Sequence, residues 1–424
     1  MLLKFSVENY KGIGKQQTLN LLATPKNEYV ESLLEIDETT RANSYACVIG
    51  PNGSGKTHFL ESLMSCSQAI LSRDFSTIKP FILNDEFRSK PTSFELTLFS
   101  KELNELHNYT FSIYKGRVVE ESLLVKKNES FAKSRLIFNR KGSEIKFASE
   151  LKELEEFIVP NLDTGGLVTS FAASIKNDNV KFIHEWANSI ILLNPKLIRF
   201  AGPDIVHNAI NRTINEKVEQ KVEEYEDGAE PTEWIPFVRD YFSSLMDDVC
   251  NTLVHFDIPI ESLKIQEDDS GSYFLTIKPK SNATTQKAYT ISEAEEFFSE
   301  GTYNALCLLL VVSLLKGSGK ILLLDEIDGT FHHKLTQALI DKIRHDQSEM
   351  QLIVATHDVL LLDYKFRRDA VFAVTKNNEL MSEIERASEF SIRKDAKLSS
   401  KYFSDEFGAL PRIISSNNVG TSSE

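Results

Sequence analysis

Gly50-Pro-Asn-Gly-Ser-Gly-Lys-Thr57 decides how the rest of the chain is read, because it fits the phosphate-binding pattern G-x-x-x-x-G-K-[ST] at every position. Tyr45-Ala-Cys-Val-Ile49 before it reads as a buried parallel strand, and His58 to Ala69 after it has helical spacing. Glycines let such a loop turn tightly and aim successive N–H groups at phosphate oxygens, while the following helix presents its positive end. In this setting Asn52, Gly53 and Gly55 line the cradle, Lys56 reaches the β- and γ-phosphates of ATP, and Thr57 holds Mg²⁺. The plainer alternative, a Gly-rich turn, does not account for the strand and helix on either side.

At 424 residues the chain is long enough for two or three core-bearing units. Apolar residues make up 41% and charged residues 26%, as in ordinary globular proteins. The longest apolar run, Leu306 to Leu315 interrupted by Ser313, is too short to span a bilayer and reads as a buried helix. MLLKFSVENY at the N-terminus alternates apolar and polar residues without the apolar core of a signal peptide, so a cytoplasmic location is expected. Cys47, Cys66, Cys250 and Cys307 form no C-x-x-C pair, which favours buried, reduced thiols over a zinc site or a disulfide framework. A net charge of −14 excludes a surface that binds nucleic acid all over, though not a local basic patch.

Taken in order, Leu2 to Glu8 alternates as a strand and Gln17 to Leu22 returns beside it, while Thr24 to Asn43 reads as a loop. Thr92–Phe99, Tyr109–Tyr114, Val118–Lys126, Arg135–Asn139 and Glu144–Phe147 predict an antiparallel sheet of about four strands. Ser149 to Phe256 turns helical, with Leu151, Leu154, Phe157 and Ile158 at spacings of three and four, and with Asn211 to Asp227 as a solvated helix. Ile260–Gln266 and Tyr273–Pro279 form a second hairpin. An α/β pattern follows: helix Gly301–Lys316, strand Ile321–Leu324, helix Lys334–Arg344 and strand Gln351–Ala355. Val371 to Ile414 adds a strand pair. The expected division is therefore 1–148, an inserted helical subdomain at 149–256, 257–414, and a disordered tail at 415–424.

Three further constellations carry chemistry. Lys320-Ile-Leu-Leu-Leu-Asp325-Glu326, about 270 residues beyond the phosphate loop, is an apolar strand delivering two acids to a cleft. Asp325 suits Mg²⁺ through water and Glu326 suits polarising the attacking water; the plainer reading is a polar strand cap. Ala355-Thr-His357-Asp ends another apolar strand, where His357 can hydrogen-bond a γ-phosphate, or simply be a satisfied histidine. Phe298-Ser299-Glu300-Gly301-Thr302 opens the apolar helix. Ser299 and Gly301 there offer either an anion-binding helix start or an ordinary N-cap.

Phosphate loop, Ser-x-Gly turn, Asp-Glu strand and His, in that order with a long insertion after the first, resemble the ABC-type P-loop ATPase heads of SMC, RecF and OLD proteins. Leu3-Lys-Phe-Ser-Val-Glu-Asn-Tyr10 resembles their first strand and turn. Arg368-Asp-Ala-Val-Phe372 and Phe407-Gly-Ala-Leu-Pro411 are similar to segments of small phage-defence and abortive-infection ATPases of the RloA/AbiL type and the PARIS ATPase subunit. This resemblance implies an α/β head with a mixed sheet, an antiparallel β lobe and an inserted helical subdomain. It also implies a head-to-tail homo-oligomer in which Ser299 of one subunit faces the phosphate loop of another.

The sequence departs from the family pattern in places. Glu300-Gly301 stands where transporter ATPases have Gly-Gly, and Ser93 or Glu95 is the nearest candidate for the Q-loop glutamine. Asp328 and His332 resemble the D-loop region. An OLD-type protein continues into a nuclease domain, whereas only a short tail follows Pro411, so a destructive activity is expected in a separate effector, a nuclease or toxin, with a phage component as trigger. The competing function is a DNA-repair ATPase acting directly on DNA through Lys126, Lys127, Lys133, Arg135, Arg140, Lys141 and Lys146, a stretch that also reads as a solvated hairpin face. A transporter ATPase fits least. Gly317-Ser-Gly-Lys320 lacks the Ser/Thr of a phosphate loop and reads as a turn.

Overall fold

The computed structural model describes residues 1–154, 159–160, 162, 165–171, 175–224, 234–256, 258–267, 273–280, 287–315, 319–326, 333–344, 350–364, 366–390 and 397–410. Phe157 and Ile158, the turn at 227–228, Gly317-Ser318, the segment with Asp328 and His332, Lys365 and everything beyond Leu410 lie outside these. The chain divides into two compact units. One comprises Met1–Leu192, Ile321–Asp325 and Gln351 onward; the other comprises Leu193–Lys320 and Glu326–Met350.

The first unit opens with β1 (Leu2–Glu8) and β2 (Gln17–Asn20), followed by β3 (Leu33–Glu35) and β4 (Arg41–Asn43), which pair with each other where a loop was expected. β5 (Tyr45–Ile49) is buried throughout and leads through the glycine loop into α1 (Lys56–Leu71). β6 (Thr92–Ser100), β7 (Glu105–Tyr114), β8 (Arg117–Lys127), β9 (Arg135–Lys141) and β10 (Glu144–Phe147) follow. These five strands do not form a sheet alone. β1 and β2 join them in a seven-stranded antiparallel sheet, β10-β9-β8-β7-β6-β1-β2, because β1 pairs along both of its backbone edges, with Phe5 opposite Leu96 and Leu19.

After α2 (Asp178–Ala187), β11 (Ile190–Leu193) is a strand inside the stretch read as helical; four apolar residues bounded by Asn and Pro are too few for a helix. The second unit contributes α3 (Pro195–Glu224), α4 (Trp234–His255), the antiparallel β12 (Ile260–Glu267), β13 (Tyr273–Pro279) and β14 (Tyr289–Thr290), and α5 (Glu300–Leu314). α5 is apolar all round and buried from Tyr303 to Leu314, as a helix without a polar face must be. Gly202 of α3 lets that helix approach it: a Cβ there would stand 3.2 Å from the Tyr303 hydroxyl.

The second unit also holds α6 (His333–Arg344), and the first unit's remaining strands are β15 (Ile321–Asp325), β16 (Gln351–Thr356), β17 (Val371–Lys376) and β18 (Ser382–Arg386). These strands complete a six-stranded mixed sheet, β11-β15-β16-β5-β17-β18, in which β15, β16, β5 and β17 run parallel and β18 turns back. The strands are almost wholly apolar, as a parallel sheet covered on both faces requires. α1 lies between the two sheets. Its Phe59, Leu60, Leu63 and Cys66 share one core with Val48, Leu323 and Phe372 on one side and Phe5, Phe94 and Leu96 on the other. Phe59 meets Phe5 edge-on at 5.7 Å between ring centres.

Buried polar side chains fasten this unit. The Gln351 amide accepts from Leu2 N–H at 2.7 Å and donates to the Leu2 carbonyl at 2.9 Å, joining β16 to β1 across the sheets. Arg367 pairs bidentately with Asp369, Nε and Nη2 each 2.9 Å from a carboxylate oxygen, and donates further to the carbonyls of Thr24, Lys26 and Glu28. Asp369 also accepts from the N–H and hydroxyl of Thr24, both at 2.6 Å; against the upward pull of burial, Arg367 first and then Thr24 hold its carboxyl below its usual range.

A third network ties the segment after β10 to the antiparallel sheet. Glu121, fully buried, accepts from Tyr109 Oη at 2.8 Å and Val168 N–H at 2.9 Å, with Arg140 at 3.8 Å. Burial outweighs these partners and pushes its carboxyl up from 4.5 to about 7. A carboxyl whose pKa is higher in the fold than in the unfolded chain binds its proton more tightly when folded. That contribution is full below pH 4.5 and is lost as pH rises to about 7. Wild type should lose roughly 1–3 kcal/mol of stability over this range, and Glu121→Gln should flatten that slope in urea titrations at the two ends of the window.

Candidate functional site

The loop between β5 and α1 is shaped by its glycines. Gly53 and Gly55 have φ of 78° and 109°, and a Cβ on Gly55 would sit 2.0 Å from Ser382 Oγ. A Cβ on Gly50 would sit 2.3 Å from the Val374 carbonyl of the neighbouring β17. The loop is therefore pressed against its neighbours on one side, with Asn52 and Gly53 exposed on the other.

Gly55 caps α1 without a side-chain hydrogen bond, and no acid occupies the first turn, so the helix start keeps its positive end for an anion. Lys56 Nζ folds back to the carbonyls of Gly50 at 2.8 Å and Pro51 at 3.1 Å. Ser54 Oγ is buried with no hydrogen-bond partner among the described residues. A helix start with no side-chain cap, a lysine folded over the loop and an unsatisfied buried hydroxyl within it together fit a polyphosphate.

Strand register decides what surrounds the loop. Asp325 at the end of β15 lies beside Ala355, Ala355 beside Val48, and Thr356 beside Ile49. The carboxyl ends of β15, β16 and β5 therefore open on one sheet edge, with Asp325 and the phosphate loop two strands apart, roughly 10 Å at ordinary strand spacing. Asp325 is buried and Thr57 half-buried, a hard oxygen pair suited to Mg²⁺. Glu326, next in the chain, is exposed and held at a left-handed φ of 54°, a conformation that costs a non-glycine residue free energy. His357 is exposed one residue beyond β16, and Asp358 caps the following turn by accepting from Leu360 N–H at 2.9 Å.

The other predicted residues fall elsewhere. Ser299 N-caps α5 in the second unit, its Oγ accepting from Thr302 N–H at 3.2 Å, and both Ser299 and Glu300 are exposed while Gly301 is half-buried. Ser93 and Glu95 lie inside the ladder of β6, opposite Glu8 and Ser6 of β1, and not in a loop. In the basic stretch, Arg135 pairs with Glu105, Arg140 with Glu121 and Lys141 with Glu120, so the charges expected to meet DNA are partly neutralised within the sheet. All four cysteines are buried free thiols. Among the described residues no cluster of His, Cys, Asp and Glu could hold a metal, and no helix is long and apolar enough to cross a membrane.

Ser382 went unnoticed in the sequence. Its Oγ donates to the Ser54 carbonyl at 2.7 Å, and its N–H donates to the Gly12 carbonyl at 2.8 Å. One residue at the start of β18 thus fastens both the phosphate loop and the β1–β2 turn. No local signal marks it, because a lone serine at a strand start is unremarkable until the two partners are known.

Residues 46–363 match the protein family described as AAA domain, putative AbiEii toxin, Type IV TA system. The fold is similar to an Smc head bound to the C-winged helix domain of ScpA, with a TM-score of 0.50 at 15% identity over 91% of this chain and 97% of that one. The Smc head from Thermotoga maritima aligns at TM-score 0.38 and 13% identity over 91% and 98% of the two chains. The Pyrococcus furiosus Smc head with an extended coiled coil, bound to the C-terminal domain of ScpA, aligns at 0.40 and 14% over 96% and 99%. No curated protein matches significantly. The architecture is that of an ABC-type P-loop ATPase head.

Ser382→Ala should weaken ATP binding about fivefold to tenfold, the worth of one buried hydrogen bond, while shifting the melting temperature of the nucleotide-free protein by only about 3 °C. Titration calorimetry and thermal unfolding measure the two; unchanged affinity would show that the loop holds its shape without the serine.

Proposed function

We infer that this chain, which belongs to the family described as AAA domain, putative AbiEii toxin, Type IV TA system, is the ATP-driven scaffold and sensor of an anti-phage defence system, controlling a separate effector. The nucleotide half of this reading rests on one observation, the register of β15, β16 and β5 that opens three motif-bearing strand ends on one edge. There Lys56 would hold the β- and γ-phosphates, Asn52, Gly53 and Gly55 would line them, and Thr57 and Asp325 would hold Mg²⁺. Bound Mg²⁺ supplies charge neutralisation on the phosphoryl oxygens. Glu326 would polarise the attacking water and His357 would hydrogen-bond the γ-phosphate.

In this reading Ser299 and Gly301 complete the site of a second subunit. Their exposed helix start supports that role. Binding energy for the γ-phosphate then becomes assembly energy, and hydrolysis releases it. The effector half is supported by the family's description as part of a type IV TA system and by a head of the same fold that carries a bound protein domain. A phage component would act as trigger. Direct action on DNA through the β8–β9 stretch is the weaker reading, since Glu105, Glu120 and Glu121 partly neutralise its cations.

Glu326→Gln should slow hydrolysis by about a hundredfold or more yet assemble with ATP, whereas Lys56→Ala should fail to bind ATP and stay unassembled. Light scattering with and without ATP distinguishes them. Mixed Lys56→Ala and Ser299→Arg subunits should recover one intact site per dimer. If assembly occurs but no effector copurifies, the sensor half of the proposal falls and the nucleotide half stands.

A further inference from the structure

The first unit holds a cleft of about 490 Å³ between the α1–β6 connection and the β7–β8 turn, away from the phosphate loop's own lining. Arg73, Lys79, Arg88, Lys90 and Lys115 line it with one acid, Asp74, although Arg88 and Lys90 pair with Asp85 and Glu86 beside it, in a chain where 62 acids outnumber 48 Lys and Arg. Its floor is apolar, with Phe75 and Ile113 buried.

The walls are fixed before any partner arrives. Asn9, buried and at a left-handed φ of 56°, donates to the carbonyls of Phe87 at 2.8 Å and Lys90 at 2.9 Å and accepts from Phe81 N–H at 2.8 Å. The Arg73 guanidinium stacks 4.2 Å from the Phe171 ring centre. Lys115 and Gly116, at φ of 49° and 72°, form a tight two-residue hairpin turn at the mouth. A rigid site spends little ordering entropy on binding. On the same connection, Ile82 and Leu83 stand 58% and 63% exposed.

We propose that this cleft docks a peptide segment of a partner protein in which Asp or Glu residues flank one or two large apolar side chains. The cations call for anions, and the apolar floor of Phe75, Ile78 and Ile113 calls for apolar groups. A nucleic-acid backbone meets only the first demand, and it would meet acids as well. Asp74 is held in the cleft by Ser76 N–H and Oγ, each at 2.8 Å, while Asp85 and Glu86 pair with Arg88 at 3.2 Å and Lys90 at 2.5 Å. A peptide carboxylate needs one cation at a time and can take the place of Glu86 in that exposed, solvent-screened pair. The proposal deepens the reading above by giving its protein partner a surface and a chemistry, and it requires no nucleotide.

The test is selection of a short random peptide library on the full wild-type chain, counter-selected on Arg73→Glu/Lys79→Glu/Lys115→Glu. Enriched peptides should pair acids with Leu or an aromatic residue. Their synthetic forms should bind wild type at least about tenfold more tightly than the variant in fluorescence anisotropy, and Gln in place of their acids should cost as much. Enrichment without acids, or equal binding to both proteins, would overturn it. So would tighter binding of a fluorescent DNA or RNA strand lost in the same variant. ATP affinity equal in wild type and variant separates loss of this site from failure of the nucleotide reading. Lys115→Glu alone, at an exposed turn, applies the same criteria if the triple variant does not fold.

Discussion

The central seat of β5 is the constraint on which the molecule depends. Its five residues are buried throughout, hydrogen-bonded on one side to β16 and on the other to β17, strands that enter about 300 residues later in the chain. A parallel strand cannot reach its neighbour through a tight turn, so everything between must loop out and return. The phosphate loop consequently takes its shape only after the far end of the chain has come home. Val374 and Ser382, which press against Gly50 and Gly55, belong to that late segment.

The same closure explains where polar groups are buried. Gln351 satisfies Leu2 at the start of β1 through both ends of its amide, and Arg367 with Asp369 satisfies the backbone of residues 24 to 28. Each joins segments more than 300 positions apart. Buried ion pairs bring little net stability beyond what apolar packing would, but leaving one partner unpaired is costly. A misassembled arrangement of the two ends would leave such groups unpaired. Glu121 does comparable work locally, holding the stretch around Val168 against the antiparallel sheet.

Much was legible in the residues. The phosphate loop between an apolar strand and a helix, the β12–β13 hairpin, the strand Ile321–Asp325 and the strand ending at Thr356 lie where alternation and apolar runs put them, within a residue or two. Less local features were missed. The antiparallel sheet has seven strands because β1 contributes pairing edges on both sides, and an edge is not encoded in a strand's own pattern. β11 escaped because four apolar residues in a helical neighbourhood have no period of their own.

The sequence by itself determined the groups at hand: which glycine-rich loop carries a lysine at a helix start, which strands end in acids, and which helix is apolar all round. These are properties of spacing and side-chain type. Tertiary structure alone decided which of those strand ends share an edge, that the cations of β9 are paired with glutamates, and that Ser382 clasps a loop 328 residues away. The reason is physical. Hydrogen-bond register and buried polar partners are relations between distant segments, and no single segment carries a record of the other.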